Sequence, residues 1–509
     1  MTIACGACQL CWQRSIAGRF GNPPRVPIAI AFAAYQRVPV ARTGARCYSL
    51  CHMNSVVVAG AGISGLALAF ELRRLGVPVV VLESASRAGG KIESDHRDGF
   101  LCERGPASFL DRSGALTGLV KALGIDQALV YAGDAAERRL VAADGRLHDT
   151  PTTVGEFART QLLSWSGKLR ASLDVVLPRG PSARGGDESV AAFARRRLGR
   201  QAGERLLQPL VSGLYAGDPE RVSLPSAFPL LAEMERKQRS FTLAIRKEFA
   251  KARSKTAPRL ASFASGLDVL TSALAVSLGT NLHLDACVVG LTKKTNGFSV
   301  SIEEKGHTQS LDAAAVVLAV PAYVAGPLVV GVDMALAEPL AQIPYVPVTL
   351  VHLGYPKSAL PAPIDAYGFF VPPSEPLRVL GGIFPSQFFN GRAPDGFHLF
   401  SVRTGGARHP EALTAPDADL TALADGELRG LLHLKGAPSF VHIVRHEKAL
   451  PQYTLGHMGR VAALEDGQRR HPGLFFHGNA YHNAGVPELV SRSVKLAERV
   501  ASSVANQAG

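Results

Sequence analysis

Gly60, Gly62 and Gly65 stand in G-x-G-x-x-G spacing, and Glu83 follows at the end of an apolar run. Residues of these types in this order suit the handling of pyrophosphate and ribose. The first glycine allows a tight turn, the second lets backbone approach a pyrophosphate, and the third lets a helix and a strand pack closely. Ile63 and Ser64 then open a helix whose unpaired N–H groups and positive dipole end face the phosphates. Glu83, with Ser84 beside it, is placed to accept both hydroxyls of a ribose. The elements that must hold these groups are legible on either side. Val56 to Ala59 reads as a buried parallel strand, Leu66, Ala69, Phe70 and Leu72 as one helix face, and Val79 to Leu82 as a second strand. Strand, glycines, helix, strand and acid come in order, which predicts dinucleotide binding.

After Glu83 comes Arg87-Ala88-Gly89-Gly90-Lys91, a second glycine pair flanked by cations. An ordinary Gly-Gly turn is the plain alternative. As phosphate-facing backbone it goes beyond what an NAD site needs, and it resembles the extension found in glutathione-reductase-type and amine-oxidase-type flavoproteins. The cofactor expected is therefore FAD.

Four further stretches are more specific: DGFLCERGPASFLDR (98–112), QPLVSGLYAGDPERVSLPSAFPLL (208–231), LPQYTLGHMGRV (450–461) and GLFFHGNAYHNAGVPELV (473–490). From about Val56 to Val504 the chain resembles the oxygen-dependent protoporphyrinogen oxidase family, flavoenzymes of late haem biosynthesis. The resemblance implies an α/β fold: a Rossmann-like discontinuous FAD-binding domain, a mixed-sheet substrate domain and a helical membrane-contacting domain. The implied boundaries are 53–131, 257–323 and 455–509 for the FAD domain, 132–235 for the helical domain, and 236–256 with 324–454 for the substrate domain. It adds Gly105, Pro106, Ala107, Ser108, Val288, Gly478, Asn479, Gly485, Val486 and Pro487 to the cofactor contacts. The tail helix is expected to start at Pro487 and to aim its positive end at the flavin pyrimidine. Arg139 is placed to anchor a propionate, or is a solvated surface arginine; Phe389 is placed against the tetrapyrrole, or is a core phenylalanine.

The implied reaction is stepwise oxidation of a porphyrinogen to a porphyrin, with oxygen regenerating the flavin and leaving as peroxide. The cofactor carries that chemistry, and no side chain is nominated as a general acid or base. No cysteine follows Cys287, so a cysteinyl flavin link from the tail is excluded and the FAD is expected to be non-covalent. Rival readings are coproporphyrinogen III oxidation, an amine- or carotenoid-type flavin oxidoreductase, and a non-catalytic porphyrin or flavin carrier. The chain departs from the family pattern at Ala107 (usually Asn), Leu140 (usually aromatic), Ala264-Ser265 and Asn483 (usually Gly), which bears on substrate rather than fold.

Composition frames this reading. The 509 residues are 47% hydrophobic and 19% charged, with a formal charge of +13, as in a globular enzyme of two or three domains. No lysine-rich run interleaved with aromatics supports nucleic-acid binding; a basic surface suits anionic lipid or an anionic substrate. Residues 1–52 hold six arginines, no Lys, Asp or Glu, and five of the seven cysteines. Cys5, Cys8 and Cys11 lack a convincing fourth ligand, so no metal is expected. The segment reads as a dispensable leader or an overextended start before Met53, with a transit peptide second. Ala313 to Val332 is uncharged and long enough to span a bilayer, yet Pro321, Gly326 and Pro327 argue for a strand and loop. The expected setting is cytoplasmic, with peripheral membrane contact, and a homodimer is compatible.

Overall fold

The computed structural model describes residues 55–238, 240, 259–482 and 485–508, all within the unit Tyr48–Gly509. The leader, Asn483 and nearly all of 236–256 beyond Lys237 lie outside the described residues. The architecture is built around a five-stranded parallel sheet: β1 (Val56–Ala59), β2 (Val79–Leu82), β3 (Leu282–His283), β4 (Ala315–Leu318) and β5 (Leu474–Phe476). Its order is β5-β4-β1-β2-β3, so strands far apart in sequence are neighbours. Both expected strands of the nucleotide end have the bounds read from the sequence. β1 is at most 1% exposed because it is covered on both faces, which is why it is apolar throughout rather than alternating.

On one face lie α1 (Ile63–Arg74) and α2, the tail helix Val486–Ala508, packed on each other over Val56, Val58, Leu66, Leu489, Val490, Ala497 and Val500. α2 starts one residue before the expected proline. The other face is covered by a three-stranded antiparallel meander (Ala286–Lys294, Gly297–Glu304, His307–Ala313) and the helix Ala322–Val329. β3 and the first meander strand are joined at Leu284-Asp285. The uncharged stretch 313–332 resolves into β4 and that short helix. No described helix is long and apolar enough to cross a membrane.

A seven-stranded mixed sheet forms the second layer, in the order Phe440–Pro451, Tyr345–Pro356, Phe397–Gly405, Val379–Ile383, Gly368–Phe370, Arg139–Ala143 and Arg146–Asp149. Only the contact of Gly368–Phe370 with Arg139–Ala143 is parallel. The helix Asp417–Leu432 covers one face through Leu420, Ala424 and Leu428. Short helices fill 154–237. The helix Val190–Leu198 is interrupted at Gly199 (φ +81°), and the path continues through a π turn, Gly203–Leu207, into Gln208–Tyr215.

Candidate active site

In parallel α/β sheets ligands bind outside the carboxyl ends of the strands, and the loops after β1, β2 and β5 bring the sequence-predicted residues to that edge. Gly60 has φ +101°, and its N–H donates to Leu82 O at 2.7 Å. A Cβ on Gly65 would lie 1.9 Å from Gly60 O, so the third glycine serves helix–strand packing. Gly62 is different: a Cβ there would meet no described atom within 4 Å. Space is left where backbone must approach a ligand.

Glu83 is held at the turn by its two carboxylate oxygens. Oε2 accepts from Ala61 N (2.7 Å) and Oε1 from Ala85 N (2.9 Å). The Gly-Gly segment docks on the same loop: Gly89 N donates to Ala61 O at 2.8 Å, and Gly62 and Gly89 form an isolated parallel bridge. Gly89 (φ +109°) and Gly90 (φ +59°) need left-handed backbone. Arg87 wraps this turn, donating to Gly90 O at 2.5 Å and pairing with Glu93 at 2.7 Å. Lys91 is largely buried, which lowers its pKa, and its Nζ lies 5.8 Å from the Tyr345 ring centre. Gly105 packs so tightly on the turn that a Cβ would be 2.1 Å from Lys91 O. Pro106, Ala107 and Ser108 continue past it, half-buried, with Ala107 O accepting from Ser262 Oγ. Val288 sits at a register shift in the first meander strand. That strand is tied to the Glu83 end by Ala286 N donating to Glu83 O and Asp285 N to Ala85 O.

The tail closes the edge. Gly478 (φ +143°) has no described atom within 4 Å of an added Cβ, so it offers a second open backbone position. His477 Nε2 and Ser493 Oγ are 2.8 Å apart, and Ser493 Oγ also contacts Ser64 O, joining the tail helix to α1. Asn479 and Gly485 are half-buried; Val486 and Pro487 are buried at the first turn of α2. Glu488 returns its carboxylate over Gly485, where a Cβ would be 2.0 Å from Oε2, so the positive helix end is shared with an acid. Burial, with the cation Arg492 nearby, pushes His477 down to about 3 and His482 to about 4. Both imidazoles are neutral near pH 7.

Arg139 and Phe389 meet the same aromatic cluster. Arg139 is exposed with its Cζ 5.5 Å from the Tyr367 ring centre, Tyr367 stacks on Phe388 (5.0 Å), and Phe388 lies 5.0 Å from Phe389. Phe389 itself is 3% exposed among Ala132, Ala135, Ala136 and Phe388, as a core residue would be. The sequence reading did not find Tyr367, Arg392 or Arg403. Arg392 is buried over the Phe389 ring at 5.1 Å, and the half-buried Arg403 donates to Gly213 O. For Arg403 a signal existed, since Phe400, Val402 and Thr404 alternate with it along one strand. Among the described residues no group of three His, Cys, Asp or Glu could hold a metal ion.

The flavin containing amine oxidoreductase family model matches residues 63–504. The chain belongs to that family. A chloroplastic protoporphyrinogen oxidase from Nicotiana tabacum is 33% identical over 87% of this chain and 85% of its own. A coproporphyrinogen III oxidase from Bacillus subtilis is 29% identical over 86% and 96%. A crystal structure from Exiguobacterium sp. 255-15, provisionally named protoporphyrinogen oxidase, superposes with TM-score 0.75 at 25% identity, covering 88% of this chain and 98% of that one. Reduced UDP-galactopyranose mutase shares the fold at TM-score 0.69 and 14% identity. The cofactor of this flavin oxidoreductase is FAD, and the open backbone at Gly62 and Gly478 with the fixed Glu83 carboxylate fits it.

Proposed function

We propose that the protein is an FAD-dependent oxidase that converts protoporphyrinogen IX to protoporphyrin IX with oxygen as acceptor. The observation that carries this is the 33% identity to a protoporphyrinogen oxidase across nearly the whole chain, together with a glycine cradle left open at the sheet edge. When bound, FAD supplies the hydride acceptor. Gly60, Gly62, Ile63, Ser64 and Gly65 would hold its pyrophosphate, and Glu83 and Ser84 its ribose. Arg87, Gly89, Gly90 and Lys91 would extend the phosphate cradle. Val288 would meet the adenine; Gly105 to Ser108, Gly478, Asn479 and Gly485 to Pro487 would enclose the flavin. Arg139 would orient a substrate carboxylate, with the Tyr367 ring beside it. The parallel sheet with its meander serves as the FAD domain, the seven-stranded sheet as the substrate domain, and 154–237 as the membrane side.

Coproporphyrinogen III is the second reading. The Bacillus subtilis relative favours it, as do Arg139 and Arg392 over the Tyr367 and Phe389 rings of one aromatic cluster, with Arg259 donating to Ala132 O beside it. An amine-oxidase reading is disfavoured because the tail tyrosines are placed as packing and bracing groups: Tyr481 is 4% exposed against Phe476, and the Tyr453 hydroxyl bonds backbone. The test supplies each porphyrinogen in air to purified protein and follows porphyrin fluorescence against the non-enzymatic rate. Conversion of neither by FAD-loaded protein would overturn the haem-pathway reading; faster conversion of the tetracarboxylate would select the second.

The helix Trp165–Ser172 and the turn after it support peripheral membrane contact. Trp165, Leu169, Leu173 and Val176 share a helical face and are 81%, 68%, 47% and 64% exposed. Lys168 lies over the Trp165 ring, and Arg179 and Arg184 are exposed close by in sequence. Burying such side chains in lipid is worth roughly 1.5–3 kcal/mol each, and the cations add attraction to anionic headgroups. Trp165→Glu with Leu169→Glu is expected to weaken sedimentation with anionic vesicles at least about tenfold while sparing activity in detergent. Unchanged sedimentation would refute the assignment of this face.

A further inference from the structure

The two motifs that mark this chain most specifically, G-x-Y-A-G-D-P at 213–219 and P-Q-Y-x-x-G-H at 451–457, meet in space. Gln452 Nε2 donates to Tyr215 O at 2.8 Å, and a Cβ on Gly217 would lie 2.5 Å from Gln452 Oε1. The Tyr215 and Tyr453 rings sit edge to face at 5.5 Å. Ser223 N donates to Tyr453 O at 2.8 Å, and Val222 bridges Thr454. Asp187 fastens both segments, accepting from Ser223 Oγ (2.6 Å) and Gly456 N (2.7 Å). These contacts fix Tyr453 against the helical layer.

From that anchor its phenol reaches the opposite way. Tyr453, 1% exposed, donates to Asn479 O and to His482 O, the latter at 2.9 Å. Both carbonyls belong to the loop that leaves β5 and enters the tail helix. A phenol has one proton, so the two carbonyls share it, and they can do so only while the loop keeps them on the same side. The loop also contains Gly478, whose backbone was left open. Its shape therefore depends on a residue that lines neither the glycine cradle nor the aromatic cluster.

We propose that Tyr453 is a positioning residue for FAD, holding the 478–482 segment in the conformation that receives the flavin. The proposal rests on the assignment of that loop to the cofactor. It explains why Gln452 and Tyr453 occur beside a motif more than two hundred residues earlier: the pair transmits the position of the helical layer to the cofactor loop. In a reaction governed by placement, a hydroxyl acting at one remove alters affinity and electronics before it alters the fold.

Tyr453→Phe in the full chain deletes only the shared donor. FAD affinity, measured by quenching of flavin fluorescence, is expected to fall about tenfold, the scale of a buried hydrogen bond lost with its acceptors stranded. The flavin midpoint potential should shift in the same protein. Tyr355→Phe is the control, because Tyr355 is equally buried but bonds Asp425 away from the loop; it should lower stability and leave FAD affinity unchanged. If Tyr453→Phe lowers only thermal stability, with affinity and potential as in the parent, its role is structural and the proposal fails. A parent chain that carries no FAD would overturn the cofactor assignment and the proposal with it. Hydrogen exchange on the unmodified protein tests the same link without a substitution. On FAD binding, 452–457 should gain protection together with 478–482; protection of the loop alone would count against the coupling.

Discussion

Gly62→Ala is expected to leave the chain as stable as its parent while weakening FAD by roughly 10–100-fold, the range set by one or two charge-assisted hydrogen bonds to phosphate. The reasoning rests on where the added methyl goes. Gly62 has φ −72° and ψ 175°, which alanine adopts without strain, and its Cβ meets no described atom within 4 Å. The protein loses nothing, so any penalty falls on the ligand. Gly65→Ala should behave in the opposite manner. Its Cβ would lie 1.9 Å from Gly60 O and 3.2 Å from Val58 Cγ1, so the β1–α1 turn must open before anything binds. A loss at the upper end of overpacking, about 3 kcal/mol, is expected along with the loss of FAD. Urea midpoints and flavin retention measured on both variants separate the roles. Equal destabilisation by the two, or full FAD retention in Gly62→Ala, would refute the division of labour.

The nucleotide end was legible because its signals are local. Val56–Ala59 and Val79–Leu82 are bounded by turn residues, and the glycines between them serve a turn that any chain of this pattern must make. The substrate face was much less so. Arg139 acquires its neighbour Tyr367 only when the strand Gly368–Phe370 pairs with Arg139–Ala143 across more than two hundred residues. Three-residue strands carry no periodicity from which that pairing could be read. Phe389 shows the same gap: nothing in QFFNGRAP distinguishes a ring facing a ligand from one packed on Ala132, Ala135 and Ala136. Helix ends fell between these extremes. The tail helix began within one residue of its proline, whereas the break after Val190–Leu198 rests on a positive φ at the single residue Gly199, which composition alone does not announce. The P-Q-Y segment marked the family but not its own use, since its partners at 187–223 and 479–482 are distant in sequence.

Arg197→Met should cost about 3–5 kcal/mol of stability, the penalty for stranding buried charge. Arg197 is 0% exposed and pairs with Asp174 at 3.2 Å and Glu235 at 2.9 Å, both also 0% exposed at the side chain. Arg196 joins the cluster through Glu188 and Glu235, each at 2.7 Å. Burial by itself would raise the Glu235 carboxyl; Arg196, the Gly180 N–H and Arg197 together hold it below its ordinary value. A carboxylate depressed in the folded state contributes stability above its unfolded pKa, and that contribution disappears as pH falls through the folded value. The parent should therefore lose stability on acidification below about pH 4.5, and Arg197→Met should lose only slightly less there, because Arg196 and the Gly180 N–H still hold Glu235 down. The exposed pair Arg200–Glu204 (84% and 26% exposed) sets the contrast: Arg200→Ala should cost no more than about 0.5 kcal/mol. Replacing Asp174 with Asn in the Arg197→Met background removes the carboxylate that has lost its cation and should recover part of the loss, while Glu235 keeps Arg196. Urea unfolding of the single and combined variants decides the matter. If Arg197→Met matches Arg200→Ala, the cluster does not stabilise the helical layer, and shape alone holds it.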